Sequence, residues 1–179
     1  MEITTERLTI RNLLPEDWKE IKAIWQDFDR SPYSKYDAPH STDDDEIKDL
    51  VKKFSESNDF YIVLLSGKTV GTVDLHDTGS GYDIGYCFLS EYHGKGYAKE
   101  SCKALINYYA EKGCGHFTAG TALKNIPSVK LLLSLGFRQV NTEQVTFYKD
   151  ENGNDIYFEG GNFELNIQNK KKLNCIGYF

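Results

Sequence analysis

The chain has 179 residues, with 21 Lys and Arg against 27 Asp and Glu, for a net charge of −6. That balance argues against nucleic acid as a partner, because neutralising a phosphate backbone needs a basic face, and it is compatible with a cationic substrate. At 40% hydrophobic and 13% aromatic residues the chain reads as folded rather than disordered, and its length suits one domain, expected over 1–169 with a short tail at 170–179.

The first element expected is a strand over 6–12, where Leu8, Ile10 and Asn12 alternate with Arg7, Thr9 and Arg11. Pro15 then opens a helix with Glu16 and Asp17 in its first turn, and Trp18, Ile21, Ile24, Trp25 and Phe28 share its buried face. Residues 29–42 have no clean period and read as a loop, in which Tyr33, Tyr36 and His40 serve either as loop anchors or to shape a substrate site. Asp43 and Glu46 are spaced as a capping box for a second helix running through Ile47, Leu50, Val51 and Phe54 to about Ser57.

Phe60 to Leu65 is apolar on both faces and reads as a buried strand. Ser66-Gly67-Lys68 turns it into a partner strand over 69–75, and 76–81 is a connector. From Tyr82 the chain is rich in β-favouring aromatics through Leu89. It then breaks at Ser90-Glu91-Tyr92 and passes through His93-Gly94-Lys95-Gly96-Tyr97. Ala98, Cys102, Leu105, Ile106 and Tyr109 recur at helical spacing, and Gly113 and Gly115 end that helix. A strand over 116–121 follows, then a helix from Asn125 to Gly136. Two strands, 137–149 and 154–166, flank an Asn152-Gly153 hairpin turn, and Lys170-Lys171-Lys172 opens the tail, expected to be loosely held.

No apolar run of about 18 residues and no signal-peptide pattern is present, so the expectation is a soluble, cytoplasmic protein with no membrane partner. The cysteines (Cys87, Cys102, Cys114 and Cys175) form no Cys-x-x-Cys pair and read as free thiols of a reducing compartment. With four dispersed histidines they outline no metal site.

The stretch with chemical content is the strand, glycine loop and helix over 82–109. Glycine lets a ligand approach the backbone, and the free N–H groups and dipole of a helix start favour an anion such as a pyrophosphate. The loop lacks the Gly-Lys-Ser/Thr of a P-loop and the third glycine of a dinucleotide fingerprint, and such turns also occur without a ligand, so the loop alone leaves both readings open.

Taken with Asn125 to Val140, this stretch resembles the GNAT superfamily of acyl-CoA-dependent N-acetyltransferases. That family's Gln/Arg-x-x-Gly-x-Gly/Ala motif falls on His93, Gly94, Lys95, Gly96, Tyr97 and Ala98, with His93 in place of Gln/Arg. Its fourth strand falls on Tyr86 to Tyr92, with Ser90 where a proline is common. Its Asn-x-x-Ala/Ser and Gly-Phe pair falls on Asn125, Ser128, Gly136 and Phe137. The opening Thr5 to Arg11, with Glu16 and Asp17, is similar to the subgroup containing the bacterial ribosomal-protein N-terminal acetyltransferases. The resemblance spans about residues 5–166.

It implies a single α+β domain, a mixed and mostly antiparallel sheet of six to seven strands flanked by about four helices. It also implies acetyl-CoA as acyl donor and an amine acceptor: a small amine, polyamine, drug or peptide N-terminus. The pyrophosphate would rest on the backbone from Gly94 to Ala98, with charge from Lys95 and Lys99 unless Lys99 is simply solvated. The pantetheine arm would run along Phe88, Leu89 and Ser90, with a Phe88 or Leu89 N–H on the thioester carbonyl. Asn125 would serve the cofactor arm, the cap of its helix, or both. Asp83 is the first expectation for the general base, followed by His76 and Asp74. Many family members place a tyrosine acid where this chain has Leu132, which leaves Ser128 or a water for that role. A monomer or homodimer is expected. The alternative is a catalytically idle acyl-CoA-binding protein.

Overall fold

The computed structural model describes residues 1–167; the tail expected from 170, and the last two residues of the expected domain, lie outside them. Eight strands form one sheet: β1 (Glu2–Thr4), β2 (Leu8–Asn12), β3 (Phe60–Leu65), β4 (Lys68–Asp77), β5 (Tyr82–Phe88), β6 (His116–Ala122), β7 (Arg138–Lys149) and β8 (Asp155–Asn166). Four α-helices flank it: α1 (Trp18–Asp29), α2 (Asp44–Ser57), α3 (Tyr97–Glu111) and α4 (Ile126–Leu135). The strand order is β1-β2-β3-β4-β5-β6-β8-β7. Every neighbouring pair is antiparallel except β5 and β6. Parallel neighbours need a crossover, and α3 supplies it.

The sheet has one strand more than the sequence suggests. The extra one, β1, is three residues long and has no buried position, so it carries no alternation that a pattern could reveal; it exists because β2 offers it a pairing edge. β4 also runs past the expected connector to Asp77, so His76 sits in the strand, opposite Asp83.

Two cores explain why β3 is apolar on both faces. Tyr61 and Val63 point into the larger core, with Leu8, Ile10, Val73, Leu75, Ile84, Leu105, Ile106, Phe117 and Phe163 beneath α3 and α4. Phe60 points the other way and packs with Leu13, Ile21, Ile47 and Val51 beneath α1 and α2. Where β2 gives way to α1, Arg11 grips Asp17 with both guanidinium arms, at 2.7 and 2.8 Å, and Asp17 accepts from the Leu14 N–H. The Asp43 side chain caps α2 by accepting from Asp45 and Glu46 N–H. Glu46 completes no box, because its carboxylate accepts from Ser41 instead.

The α1–α2 loop divides between its two expected roles. Tyr36 packs edge-on against Phe158 of β8, and Ser34 accepts from the Tyr148 hydroxyl, which ties the loop to the β7–β8 hairpin. His40 stacks on Trp25 at 4.9 Å and bonds Asp29. These are anchors. Tyr33 faces a cavity instead.

Candidate active site

The sheet opens where its parallel pair fails. β5 and β6 are in register only at Tyr82–Phe117 and Asp83–Thr118, after which they part. The Leu89 N–H donates to the Val70 carbonyl at 3.0 Å, so Phe88 and its partner Gly71 form a pair without mutual hydrogen bonds. By the alternation of an antiparallel ladder, Tyr86 and Phe88 therefore turn their backbone N–H and C=O groups away from β4 and into the gap. The Phe88 carbonyl accepts from His93 Nε2 at 2.8 Å; a carbonyl only accepts, so that nitrogen carries the proton.

A cavity of about 650 Å³ fills the gap. It is lined by Tyr86, Cys87 and Phe88 of β5, by His93, Gly94 and Gly96 of the loop, by Asn125, Ser128 and Leu131 at the head of and along α4, and by Phe28, Ser31 and Tyr33 from the end of α1 onward. Gly94 and Gly96 have φ of +73° and +83°, a region side chains resist. Gly96 is the N-cap of α3 and no side chain caps that helix, so its first-turn N–H groups stay available to an anion. Asn125 caps α4 by accepting from the Ser128 N–H at 3.4 Å and lines the cavity as well. The Ser128 hydroxyl lies 2.9 Å from that of Tyr86.

Of the residues expected at the cofactor, Phe88, Ser90, His93, Gly94, Gly96, Tyr97, Ala98, Asn125 and Ser128 line this one cavity. Leu89 does not, and its N–H is already spent on Val70. Lys95 does not either: its ammonium sits 5.4 Å over the Tyr92 ring. Lys99 does line it.

Asp83 and His76 lie outside the lining. Asp83 accepts from the Thr118 hydroxyl at 2.5 Å. His76 bridges two carboxylates, Asp59 through Nδ1 at 3.0 Å and Asp74 through Nε2 at 3.2 Å. Burial pushes the Asp74 carboxyl up to about 6, against the pull of His76 and with help from Asp59 and Asp83. Asp74 abuts Gly85, where a Cβ would lie 2.6 Å from its Oδ2.

Other residues escaped the sequence. Burial pushes the Cys87 thiol up to about 12, with Asp37, Asp27, Asp29 and Asp74 adding to it, so it stays a neutral thiol. Asp27 of α1 accepts from both the N–H and the hydroxyl of Ser90, at 2.7 and 3.0 Å. That contact spans 63 residues, and no local pattern announces it. Leu132, where the resemblance implies a tyrosine acid in other members, is fully buried in the larger core and does not line the cavity.

The family model described as an acetyltransferase (GNAT) domain matches residues 7–138. The chain is 30% identical over 146 residues to an uncharacterised N-acetyltransferase, p20, of Bacillus licheniformis, covering 75% of this chain and 81% of that one. It is 28% identical over 145 residues to the uncharacterised N-acetyltransferase YnaD of Bacillus subtilis (strain 168), covering 78% and 84%. Among solved structures it is similar to RimL, a ribosomal L7/L12 α-N-protein acetyltransferase in complex with coenzyme A. The TM-score is 0.77 at 16% identity, over 93% of this chain and 98% of that one.

The chain belongs to the GNAT acetyltransferase family. With that membership comes its enzyme class, an acetyl-CoA-dependent N-acetyltransferase.

Proposed function

We propose that the protein acetylates a cationic primary amine by direct transfer from acetyl-CoA seated between β5 and β6. The observation that carries this is the parting of β5 from β6 after two residue pairs, which leaves an unpaired strand edge leading to an uncapped helix start. Acetyl-CoA supplies a thioester whose carbonyl carbon accepts the amine. Its pantetheine arm has amides that suit the open edge of Tyr86 and Phe88 as an added strand would. Its pyrophosphate suits the N–H groups from Gly94 to Ala98. The RimL structure, captured with coenzyme A, supports coenzyme A as the ligand here.

The chain's own groups then divide the work. The Phe88 N–H, turned away from β4, stabilises the oxyanion that develops as the C–N bond forms. The amine must shed a proton, because such groups are charged near pH 7. Asp74 and His76 form an ion-paired cluster beside Gly85, Asp83 stands opposite His76 in the ladder, and we assign the proton to this group through water. Asp74 is the member already shifted toward working pH. As the C–S bond breaks, the Ser128 hydroxyl, held by Tyr86, relays a proton from water to the departing sulfur, donating its own proton and taking one from the water. The neutral Cys87 thiol fits a direct route with no acetyl-enzyme.

The carboxylates around Cys87 favour a positively charged acceptor. A ribosomal-protein N-terminus, the acceptor of RimL, is one such acceptor. The three described cysteines are free, which supports a reducing, cytoplasmic setting. A panel of amines and N-terminal peptides, incubated with acetyl-CoA while thiol release is followed, tests the proposal. Release that rises with one class of amine supports it. Coenzyme A binding without amine-dependent release would leave an idle acyl-CoA-binding protein.

A further inference from the structure

Arg7 lies in the connection between β1 and β2 and does not line the cavity, yet it holds the loop that does. Its Nη1 donates to the Lys95 carbonyl at 3.0 Å. Its Nε and backbone N–H donate to the two oxygens of Glu100, at 2.7 and 3.0 Å. Thr5 adds a third bond to that carboxylate at 2.6 Å, and the guanidinium lies 4.6 Å over the Tyr97 ring. We propose that Arg7 is a positioning residue for the pyrophosphate: it sets the direction in which the Lys95–Gly96 peptide faces.

The reasoning is geometric. In a trans peptide the C=O and the following N–H point in opposite directions. With the Lys95 carbonyl drawn out to Arg7, the Gly96 N–H of the same peptide is turned the other way. Gly96, at φ +83°, has access to several backbone regions, so the loop by itself does not choose among them. No side chain caps α3 from within, and the choice falls to a contact 88 residues away in sequence.

Arg7 has a second effect. Glu100 stands in the first turn of α3, where a bare carboxylate would compete with an incoming anion for the helix dipole. The ion pair, at 2.6 Å, cancels it. The Arg7 side chain is 41% exposed, and an exposed ion pair stabilises a fold only slightly. Its effect is therefore on the loop's direction more than on the fold.

The inference rests on acetyl-CoA being the ligand, so the experiment separates the two. Coenzyme A is titrated calorimetrically into wild type, Arg7→Gln, Arg7→Lys and Glu100→Gln. Pantetheine, which has no phosphate, is titrated by ligand-observed NMR. Arg7→Gln is expected to weaken coenzyme A by about tenfold or more while pantetheine stays within about twofold. Arg7→Lys should lose nearly as much, because one ammonium cannot span the Lys95 carbonyl and both Glu100 oxygens. It carries the test if the Gln variant fails to fold. Glu100→Gln keeps the Lys95 contact and should lose less. Unchanged coenzyme A affinity in both Arg7 variants overturns the proposal, as does an equal loss for pantetheine, which would mean a general defect. A wild type that binds no coenzyme A would remove the acetyl-CoA reading and this inference together.

Discussion

The Ser128 hydroxyl at the head of α4 and the Tyr86 hydroxyl on β5 lie 2.9 Å apart, on residues 42 apart in sequence. Both line the cavity, and burial pushes the Tyr86 phenol well above its ordinary range, so it remains a neutral hydrogen-bonding group. With Leu132 withdrawn into the core, the proposed mechanism has this pair relay a proton to the leaving sulfur. Ser128→Ala should lower kcat by roughly 10–100-fold with coenzyme A affinity nearly unchanged. Tyr86→Phe should lower it less, since Ser128 persists. Equal kcat in wild type and Ser128→Ala would move that proton to water.

Gly96→Val brings two costs together. A β-branched residue at φ +83° is strained by about 1–2 kcal/mol, and its Cβ would meet Arg7 Nη2 at 3.3 Å. The variant should unfold a few degrees lower and lose coenzyme A affinity far out of proportion to that loss. Calorimetry on the folded variant checks it, and retained affinity would remove Gly96 from the pyrophosphate seat.

Asp74 makes a pH signature. Burial lifts its folded carboxyl to about 6 from the ordinary 3.8, so protonation favours the fold. That stabilisation is complete below about 3.8 and is lost as pH rises through about 6. Asp74→Asn, which cannot ionise, should gain in thermal midpoint relative to wild type between pH 4 and 7. If the cluster takes the amine's proton, kcat/KM of wild type climbs through about pH 6 and the Asn variant loses that limb. Asp83→Asn should lower turnover at neutral pH and leave coenzyme A binding intact. An unaltered profile in both variants would return proton removal to solvent.

Leu132→Tyr is expected to destabilise rather than to restore a tyrosine acid. Leu132 is fully buried, packed in the larger core, and forcing extra volume into such a site costs about 1–3 kcal/mol. The thermal midpoint should fall by several degrees with no rise in kcat. A faster variant would mean that the tyrosine finds its way into the cavity.

What the amino-acid sequence determined by itself was local. The turn from Ser66 to Lys68, the Asn152-Gly153 hairpin, the Asp43 cap and the strand–glycine–helix passage through Gly96 each depend on residues within a few positions of one another. Their φ preferences, caps and periodicities were legible for that reason. Most of the cavity's lining was legible too, because much of it is one continuous stretch plus the start of one helix. The tertiary structure decided what depends on distant partners. It chose Phe88 over Leu89 for the free N–H, because Val70 claims the latter. It withdrew Leu132 into the core, joined Asp74 to His76 and Asp59, and brought Asp27 to Ser90 and Arg7 to Lys95. Each of these is a hydrogen bond or a packing choice between elements that only the closed sheet brings together, and no spacing along the chain encodes such a distance.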